Sequence, residues 1–415
     1  MTIKSFVRKL IPRLVLSIYH YCLALLGALI YGFPSRKLII IGVTGTSGKS
    51  TTVDLISKIL EQSGSKVASI STARFKIANK EWTNKLKMTM PGRFTIQKFF
   101  KQAVKEGCKY MVLEVSSEGV KQYRHKFIKF DTAVFTNLSP EHIESHGNFE
   151  KYRNAKIKFF KAVKGKHIIN IDDENADYFL KTKAKEIFKF SFNDLENINI
   201  NNNGSFFEVR GTKFQINLLG RFNVYNALCA ITTAVSYGMS LDICKQALEK
   251  AKAIPGRMEI VVKKPFTVIV DYAHTPEQLE QVYKTLTTNN EQQKTSLICV
   301  LGSCGGGRDK WKRPVLGEIA SKYCKEIIIT NEDPYDEDPE AIIDQVLAGT
   351  NGIGQKIVDR KQAIKKALLL AKQGDSVIIT GKGSEPLMCL ANGKKIAWSD
   401  KEIVKEEMGE FAERF

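Results

Sequence analysis

The stretch Ile39-Ile40-Ile41-Gly42-Val43-Thr44-Gly45-Thr46-Ser47-Gly48-Lys49-Ser50-Thr51-Thr52 constrains the fold of this chain more than any other. An apolar run stops at a Gly-rich turn carrying a lysine and hydroxyls, and a helix-forming segment follows. Such a turn aims backbone N–H groups, a helix N-terminus and an ammonium at one point, which suits a nucleotide triphosphate such as ATP. Lys49 is then expected on the β- and γ-phosphates and Ser50 on magnesium, with Gly45, Thr46, Ser47, Gly48 and Thr51 lining the turn. The strict G-x-x-x-x-G-K-[ST] spacing is not met, because Val43 holds its first position. The motif here is the narrower T-G-T-x-G-K-[ST]-T.

From Lys37 onward apolar runs alternate with helical patterns, which points to an α/β fold with mostly parallel sheets. Strands are expected at 38–44, 110–115, 132–136 and 167–171. Residues 195–220, Asn-rich and then alternating around Phe206, Phe207, Val209, Phe214 and Ile216, read as an antiparallel hairpin region. Ile254-Pro255-Gly256 is the best boundary, followed by strands near 266–271, 295–301, 326–330 and 376–380, with a polar loop at Thr287–Lys294. The expected division is a hydrophobic segment over 1–37, an ATP-binding domain over 38–254 and a second α/β domain over 255–415.

The formal charge of +19, from 63 basic and 44 acidic residues, favours anionic partners. No zinc-finger, helix-turn-helix or RNP pattern supports nucleic acid, so phosphates and an anionic membrane surface remain. Leu14 to Phe33 contains no Asp, Glu, Lys or Arg and would span about 30 Å as a helix. Lys4, Arg8, Lys9 and Arg13 precede it, and Arg36 and Lys37 follow. A signal peptide fits poorly, since no small-residue cleavage site appears. A simple spanning helix would, by the positive-inside rule, place the ATP loop outside the cell. The expectation is an interfacial or re-entrant segment on the inner face of the cell membrane, with a buried core helix as the alternative. The eight cysteines show no C-x-x-C pair, in keeping with a reducing cytoplasm.

Glu114 closes the run Tyr110-Met111-Val112-Leu113, at the strand end where open α/β sheets bind ligands. Another strand leads into Asn137 to Gly147, with His142 and His146 beside carboxylates. Tyr152-Arg153-Asn154-Ala155-Lys156 follows. Further on stand Leu219 to Asn226, Pro255-Gly256-Arg257-Met258-Glu259, Asp271-Tyr272-Ala273-His274-Thr275-Pro276, Gly305 to Pro314, and Gly381-Lys382-Gly383-Ser384-Glu385. In this order they resemble the Mur ligase family, in its muramoyl-tripeptide synthetase branch.

The resemblance implies a central P-loop ATPase domain and a C-terminal Rossmann-like domain. It implies an ADP-forming ligase of peptidoglycan synthesis, joining a free amino acid to a muramoyl-peptide acceptor through an acyl phosphate. Lys49, Glu114, His142 and Lys156 are the implied catalytic set. Two magnesium ions are implied, one on Ser50 and Glu114, the other on Glu114, His142 and a carbamylated Lys156. A carbamate offers the oxygens that an ammonium cannot. Asn226 is expected on adenine, with Asp271, His274 and Arg257 on the nucleotide side. Thr89, Pro91 and Ser116 are expected on the acceptor. Arg308 would take the α-carboxylate of the amino acid, with Gly381 and Glu385 near its amine and Asp333 and Tyr335 in its pocket. A monomer is expected.

Three departures from the family pattern stand out. About 37 residues occupy the place of the family's UDP-cradling domain, so a lipid-linked acceptor, or UDP held loosely or by a partner, is expected. Glu332-Asp333-Pro334-Tyr335 replaces the D-N-P-R of diaminopimelate-adding enzymes, which favours an amino acid with a distal amine, lysine or ornithine. Ser384 and Glu118 stand where histidines are common. Rival readings are the related subunit that activates lipid-linked muramoyl peptide for amidation, a folylpolyglutamate synthetase, and a catalytically silent nucleotide-binding scaffold. The first carries a four-cysteine zinc ribbon that is not visible here.

Overall fold

The computed structural model describes residues 12–201, 204–288 and 296–412. The chain forms two compact units, Met1–Pro140 with His146–Lys252, and Ala253–Phe415 with Glu141–Ser145. The division therefore falls at 252/253, two residues before the expected boundary, and a five-residue segment groups with the second unit.

The first unit is built on an eight-stranded sheet. Its strands are β1 (Ile39–Thr44), β2 (Val67–Ile70), β3 (Arg74–Ile77), β4 (Lys80–Thr83), β5 (Tyr110–Glu114), β6 (Thr132–Phe135), β7 (Lys166–Asn170) and β8 (Glu186–Phe190). The order is β4-β3-β2-β5-β1-β6-β7-β8, and β3 alone runs opposite to the others, pairing antiparallel with both β2 and β4. The chain moves from β1 to one side, through β2 and β5, and then crosses to β6 on the other. β1 is thus the switch strand, beside which open α/β sheets bind ligands at their carboxyl edge.

Ile40, Ile41, Met111, Leu113, Ala133 and Phe135 are fully buried, as strands covered on both faces require. Helices Lys49–Gln62 and Arg221–Val235 pack on each other. Residues 195–220 form a three-stranded antiparallel sheet, β9 (Glu196–Asn201), β10 (Gly204–Val209) and β11 (Thr212–Ile216), where the sequence suggested a hairpin. The sequence reading also missed β2, β3 and β4. β4, Lys-Glu-Trp-Thr, is exposed along its length and carries no apolar alternation to betray it.

The second unit holds a six-stranded sheet of β12 (Glu259–Val262), β13 (Thr267–Val270), β14 (Leu297–Leu301), β15 (Glu326–Ile329), β16 (Gly354–Lys356) and β17 (Ser376–Ile379). Its order is β12-β13-β17-β14-β15-β16, with β12 alone antiparallel. Val268, Val270, Val300, Ile328 and Ile379 form its core with Ala363 and Leu368. A two-stranded ribbon of β18 (Leu387–Cys389) and β19 (Lys395–Ala397) follows.

The hydrophobic entry is helix Arg13–Tyr31, closed by Gly32 in the left-handed region. It belongs to the first unit and packs on helix Arg93–Lys105. Lys4, Arg8 and Lys9 lie outside the described residues. Thr287 falls in helix Pro276–Thr288, where a loop was expected, and 289–295 are outside the described residues.

Candidate active site

In the first unit, β1 delivers the chain into a turn whose backbone only glycine permits at two points. Gly45 has φ +157° and a Cβ there would collide with Thr136 Oγ1; Gly48 has φ +77° and a Cβ would collide with Asn226 Oδ1. Asn226 is therefore a brace beneath the turn. Its Nδ2 donates to Asn223 Oδ1 at 3.1 Å, and Thr52 Oγ1 donates to its Oδ1 at 3.4 Å. From the far side the Ser47 N–H donates to Asn137 Oδ1 at 2.8 Å, and Thr136 Oγ1 donates to the Ser47 carbonyl at 2.8 Å. Helix Lys49–Gln62 starts directly after Gly48, so the positive end of its dipole faces the turn.

Glu114, 2% exposed at the end of β5, is the focus of this edge. Ser50 Oγ donates to its Oε2 at 2.7 Å, the Thr72 N–H donates to the same oxygen at 2.8 Å, and Thr72 Oγ1 donates to Oε1 at 3.0 Å. Lys49 Nζ lies 3.9 Å from Oε1 and donates to the Thr46 carbonyl at 2.8 Å. Thr72 Oγ1 also meets Thr89 Oγ1 at 2.9 Å, which ties the segment carrying Thr89 and the buried Met90 and Pro91 to the same carboxylate.

Lys156 rises from helix Phe149–Ala162 and is 2% exposed. Its Nζ donates to the Gly45 carbonyl at 2.6 Å and sits 4.7 Å from the Tyr152 ring centroid. The Tyr152 hydroxyl meets Thr46 Oγ1 at 3.0 Å. Ser116 caps helix Ser117–Lys121 by accepting from the Gly119 N–H. His146 Nε2 lies 3.2 Å from Ser117 Oγ and 3.3 Å from Glu118.

Among the described residues, no three His, Cys, Asp or Glu side chains cluster as metal ligands. The first unit instead offers hard oxygen donors, one carboxylate with the hydroxyls of Ser50 and Thr72. That fits magnesium, which binds through one or two carboxylates and completes its shell with phosphate and water.

His142 groups with the second unit, so the first unit by itself brings together Lys49, Ser50, Glu114 and Lys156. His142 has φ +56°, and Asp309 accepts from the next two backbone N–H groups, Ile143 at 3.1 Å and Glu144 at 2.8 Å. Lys312 Nζ lies 3.4 Å from Glu141 Oε1, both side chains buried. Burial raises the Glu141 carboxyl above its usual range, against the pull of Lys312.

The rest of the second unit's candidates stand at carboxyl ends of its parallel strands. Asp271 follows β13 and accepts from the N–H groups of Met258 and Ala273, each at 2.6 Å. Burial raises its carboxyl, offset by Arg257. Asp271 thus braces the turn that carries Arg257, whose guanidinium lies 4.0 Å over the Tyr272 ring. Burial beside Lys312 holds His274 well below the usual histidine range, so it is neutral at pH 7. Its Nδ1 meets the Tyr272 carbonyl at 2.8 Å, which makes Nδ1 the protonated nitrogen and leaves Nε2 as acceptor.

Lys382, fully buried after β17, donates to Asp333 Oδ1 at 2.9 Å, Glu385 Oε2 at 3.0 Å and the Leu387 carbonyl at 2.7 Å. The Cys389 N–H donates to the same Asp333 oxygen at 2.7 Å. From the sequence alone Asp333 is expected to add negative charge to the amino-acid pocket, and the fold corrects that expectation. Asp333 is neutralised by a lysine three residues from Glu385, and does not present a bare negative charge. Tyr335 adopts φ +53° with its ring against Gly306. Gly381, φ +103°, admits Glu332, and Arg308 is exposed on the Gly-rich loop after β14.

Sequence reasoning missed Thr72, Asp309 and Lys382 as organisers. Thr72 had one signal, its place just past a strand at the carboxyl edge, but β2 itself went unread. Lys382 and Asp309 stood inside quoted motifs, but Asp333, which Lys382 holds, and the Ile143 and Glu144 amides, which Asp309 holds, are distant in sequence.

Residues 43–234 match the Mur ligase middle domain and residues 256–383 the Mur ligase glutamate ligase domain. The UDP-N-acetylmuramoyl-L-alanyl-D-glutamate–2,6-diaminopimelate ligase of Syntrophomonas wolfei is 38% identical over 402 residues, covering 92% of this chain and 81% of its own length. The enzyme of that name from Aquifex aeolicus is 39% identical over 389 residues, covering 91% and 79%. A solved structure of a ligase of that name is 30% identical with a TM-score of 0.59, covering 90% and 79%. Folylpolyglutamate synthase from Mycobacterium tuberculosis, solved with ADP and AMPPCP, shares the fold with a TM-score of 0.72 at 16% identity, covering 88% and 92%. Two domain models matched in chain order, and relatives of one kind more than a third identical over nine-tenths of the sequence, place the chain in the Mur ligase family.

Proposed function

We propose that the chain is an ATP-dependent ligase that adds an amino acid to a muramoyl-peptide acceptor in peptidoglycan precursor synthesis. The observation that carries this reading is the hydrogen-bonded series Ser50–Glu114–Thr72–Thr89, which joins the phosphate loop to the acceptor segment. The acceptor carboxylate attacks the γ-phosphorus, ADP leaves, and an acyl phosphate forms. The amine of the incoming amino acid then adds to the acyl carbon, and the tetrahedral intermediate expels phosphate as the nitrogen loses its proton. Two anions must meet in the first step, so cations and aligned N–H groups have to offset their repulsion. Lys49 and the N-terminus of helix Lys49–Gln62 supply both. Ser50 and Glu114 would hold magnesium, which neutralises phosphate oxygens when bound. Lys156 in carbamate form would add oxygen ligands for a second ion, and intact-mass analysis reads that modification directly. A reaction consuming ATP belongs in the cytoplasm.

Asn226 contacts the adenine from beneath the loop, and Asp271, His274 and Arg257 serve the nucleotide side of the second unit. Thr89, Pro91 and Ser116 receive the acceptor. Arg308 takes the α-carboxylate of the amino acid, with Gly381, Glu385, Asp333 and Tyr335 around the rest of it. Tyr335, where an arginine would grip a distal carboxylate, supports lysine or ornithine over diaminopimelate. The test is ADP release with a muramoyl dipeptide acceptor and each of the three amino acids. Release that requires both acceptor and amino acid supports the ligase; preference for diaminopimelate overturns the assignment of the pocket.

A further inference from the structure

Helix Arg13–Tyr31 is packed the opposite way round from a helix that faces water. Its docked side carries Ala24, Gly27 and Ala28, all buried, and a Cβ on Gly27 would meet the Arg93 carbonyl at 3.5 Å. Small residues thus let it approach helix Arg93–Lys105 closely. Tyr21 meets Tyr123 and Phe127 edge-on, with ring centroids 6.0 and 5.1 Å apart. The large apolar residues point outward. Leu14 is 72% exposed, Ile30 58%, Ile18 and Leu29 55%, and Val15 and Leu26 are exposed as well. At 3.6 residues per turn these positions share one side of the helix. A helix docked on a protein and facing water keeps its large apolar residues inside and polar ones outside. Here an 18-residue window of mean hydropathy 1.9 is only 17% buried, so the helix is not a core element.

The charge around it is one-sided. Residues 1–53, 82–105 and 119–130 contain no Asp or Glu. They supply this helix, the helix it packs on and the turn that meets Tyr21. Arg36, Lys37, Lys98, Lys101, Lys105 and Lys129 are exposed among them. A second copy of this chain would bring the same cations against them. A bilayer with anionic headgroups satisfies both features, acyl chains against the leucines and isoleucines, phosphates against the lysines.

We propose that helix Arg13–Tyr31 lies in the interface of an anionic membrane, holding the first unit against it. Helix Arg93–Lys105 begins directly after Thr89, Pro91 and Gly92, so one rigid element carries both the lipid-facing helix and the acceptor segment. The membrane lipid is then the carrier of the acceptor, an extension that rests on the ligase reading above.

The test uses the full chain without ATP, cosedimented with vesicles of phosphatidylcholine alone or mixed with phosphatidylglycerol. Binding to the anionic vesicles, weakened at least about tenfold by Ile18→Glu with Leu29→Glu, is expected. Lys98→Glu with Lys101→Glu should remove about tenfold or more of the preference for anionic lipid. Binding to neither vesicle, or binding that ignores both variants, overturns the proposal. So does a concentration-dependent dimer that the Ile18→Glu, Leu29→Glu variant disrupts without vesicle binding. ADP release with a soluble acceptor should survive in both variants, which shows them folded. Loss of that activity in the unmodified chain while vesicle binding persists would overturn the ligase reading and leave the docking in place.

Discussion

Glu114 and Asp333 stand at carboxyl edges of the two sheets, both almost fully buried, yet their surroundings differ in kind. Glu114 is held mainly by neutral donors, two hydroxyls and a backbone N–H, with Lys49 at 3.9 Å. Asp333 is locked at 2.9 Å to the ammonium of a fully buried lysine that also holds Glu385. The first arrangement keeps a carboxylate ready to exchange hydroxyl protons for a metal ion. The second builds a rigid wall of compensated charge. A carboxylate held by neutral donors can give them up to a ligand at small cost, whereas one held by a buried cation is fixed in place.

Removing Lys382 should give the largest change. Lys382→Met leaves Asp333 and Glu385 without their cation and is expected to cost about 3–5 kcal/mol, read by urea unfolding of the full chain. Little change in stability would break the contrast. Glu114→Gln should do the reverse. Hydroxyls can still donate to the amide, so stability should stay within about 1 kcal/mol, while ADP release falls by about 10²–10³-fold. Lys49→Ala should match it in activity, and peptide-bond synthesis unimpaired by that change would sink the proposed function.

His125 sharpens the comparison through pH. It is buried in the first unit, neither ring nitrogen has a hydrogen-bond partner among the described residues, and burial beside Lys126 and Lys158 lowers its pKa to about 3. Between that value and the ordinary 6.5 the unfolded chain takes the proton and the folded one does not. Stability contributed above pH 6.5 is therefore lost as pH falls toward 3, by about 1.4 kcal/mol per pH unit. His125→Leu should flatten that loss in unfolding curves taken from pH 7 to pH 5; an identical slope in both proteins would refute it. The smallest effect is expected at the loop. Gly48→Ala should cost about 1–2 kcal/mol for the left-handed backbone alone, and Asn226→Ala should recover only the part due to the collision, measured as a double-mutant cycle in thermal unfolding.

The alternation of strands and helices, the phosphate loop and the edge position of Glu114 were legible because each depends on neighbours in sequence. Strand periodicity showed where β1, β5, β6 and β7 run, and local glycines marked the turn. The edge strand β4 was not legible, since a short exposed strand carries no burial pattern, and β3 went unread because its four residues, alternating half-buried and buried, are too few to stand out. Strand order, too, came only with the fold, because hydrogen bonding between strands leaves no local mark.

The site divides along the same line. That Lys49 and Ser50 follow a Gly-rich turn between a strand and a helix is legible from their spacing alone. That Thr72 secures Glu114, and that Asn226 supports Gly48, required residues 42 and 178 positions apart to meet, as the contacts of Thr72 with Glu114 and of Gly48 with Asn226 show. The sequence alone determined the chemistry available, because residue type sets charge, donors and backbone freedom. The tertiary structure decided which charges stay available and which are cancelled, because the strength of a buried charge depends on what packs within a few ångströms of it. Asp333 shows the difference most plainly, a negative charge on paper that Lys382 neutralises in the fold.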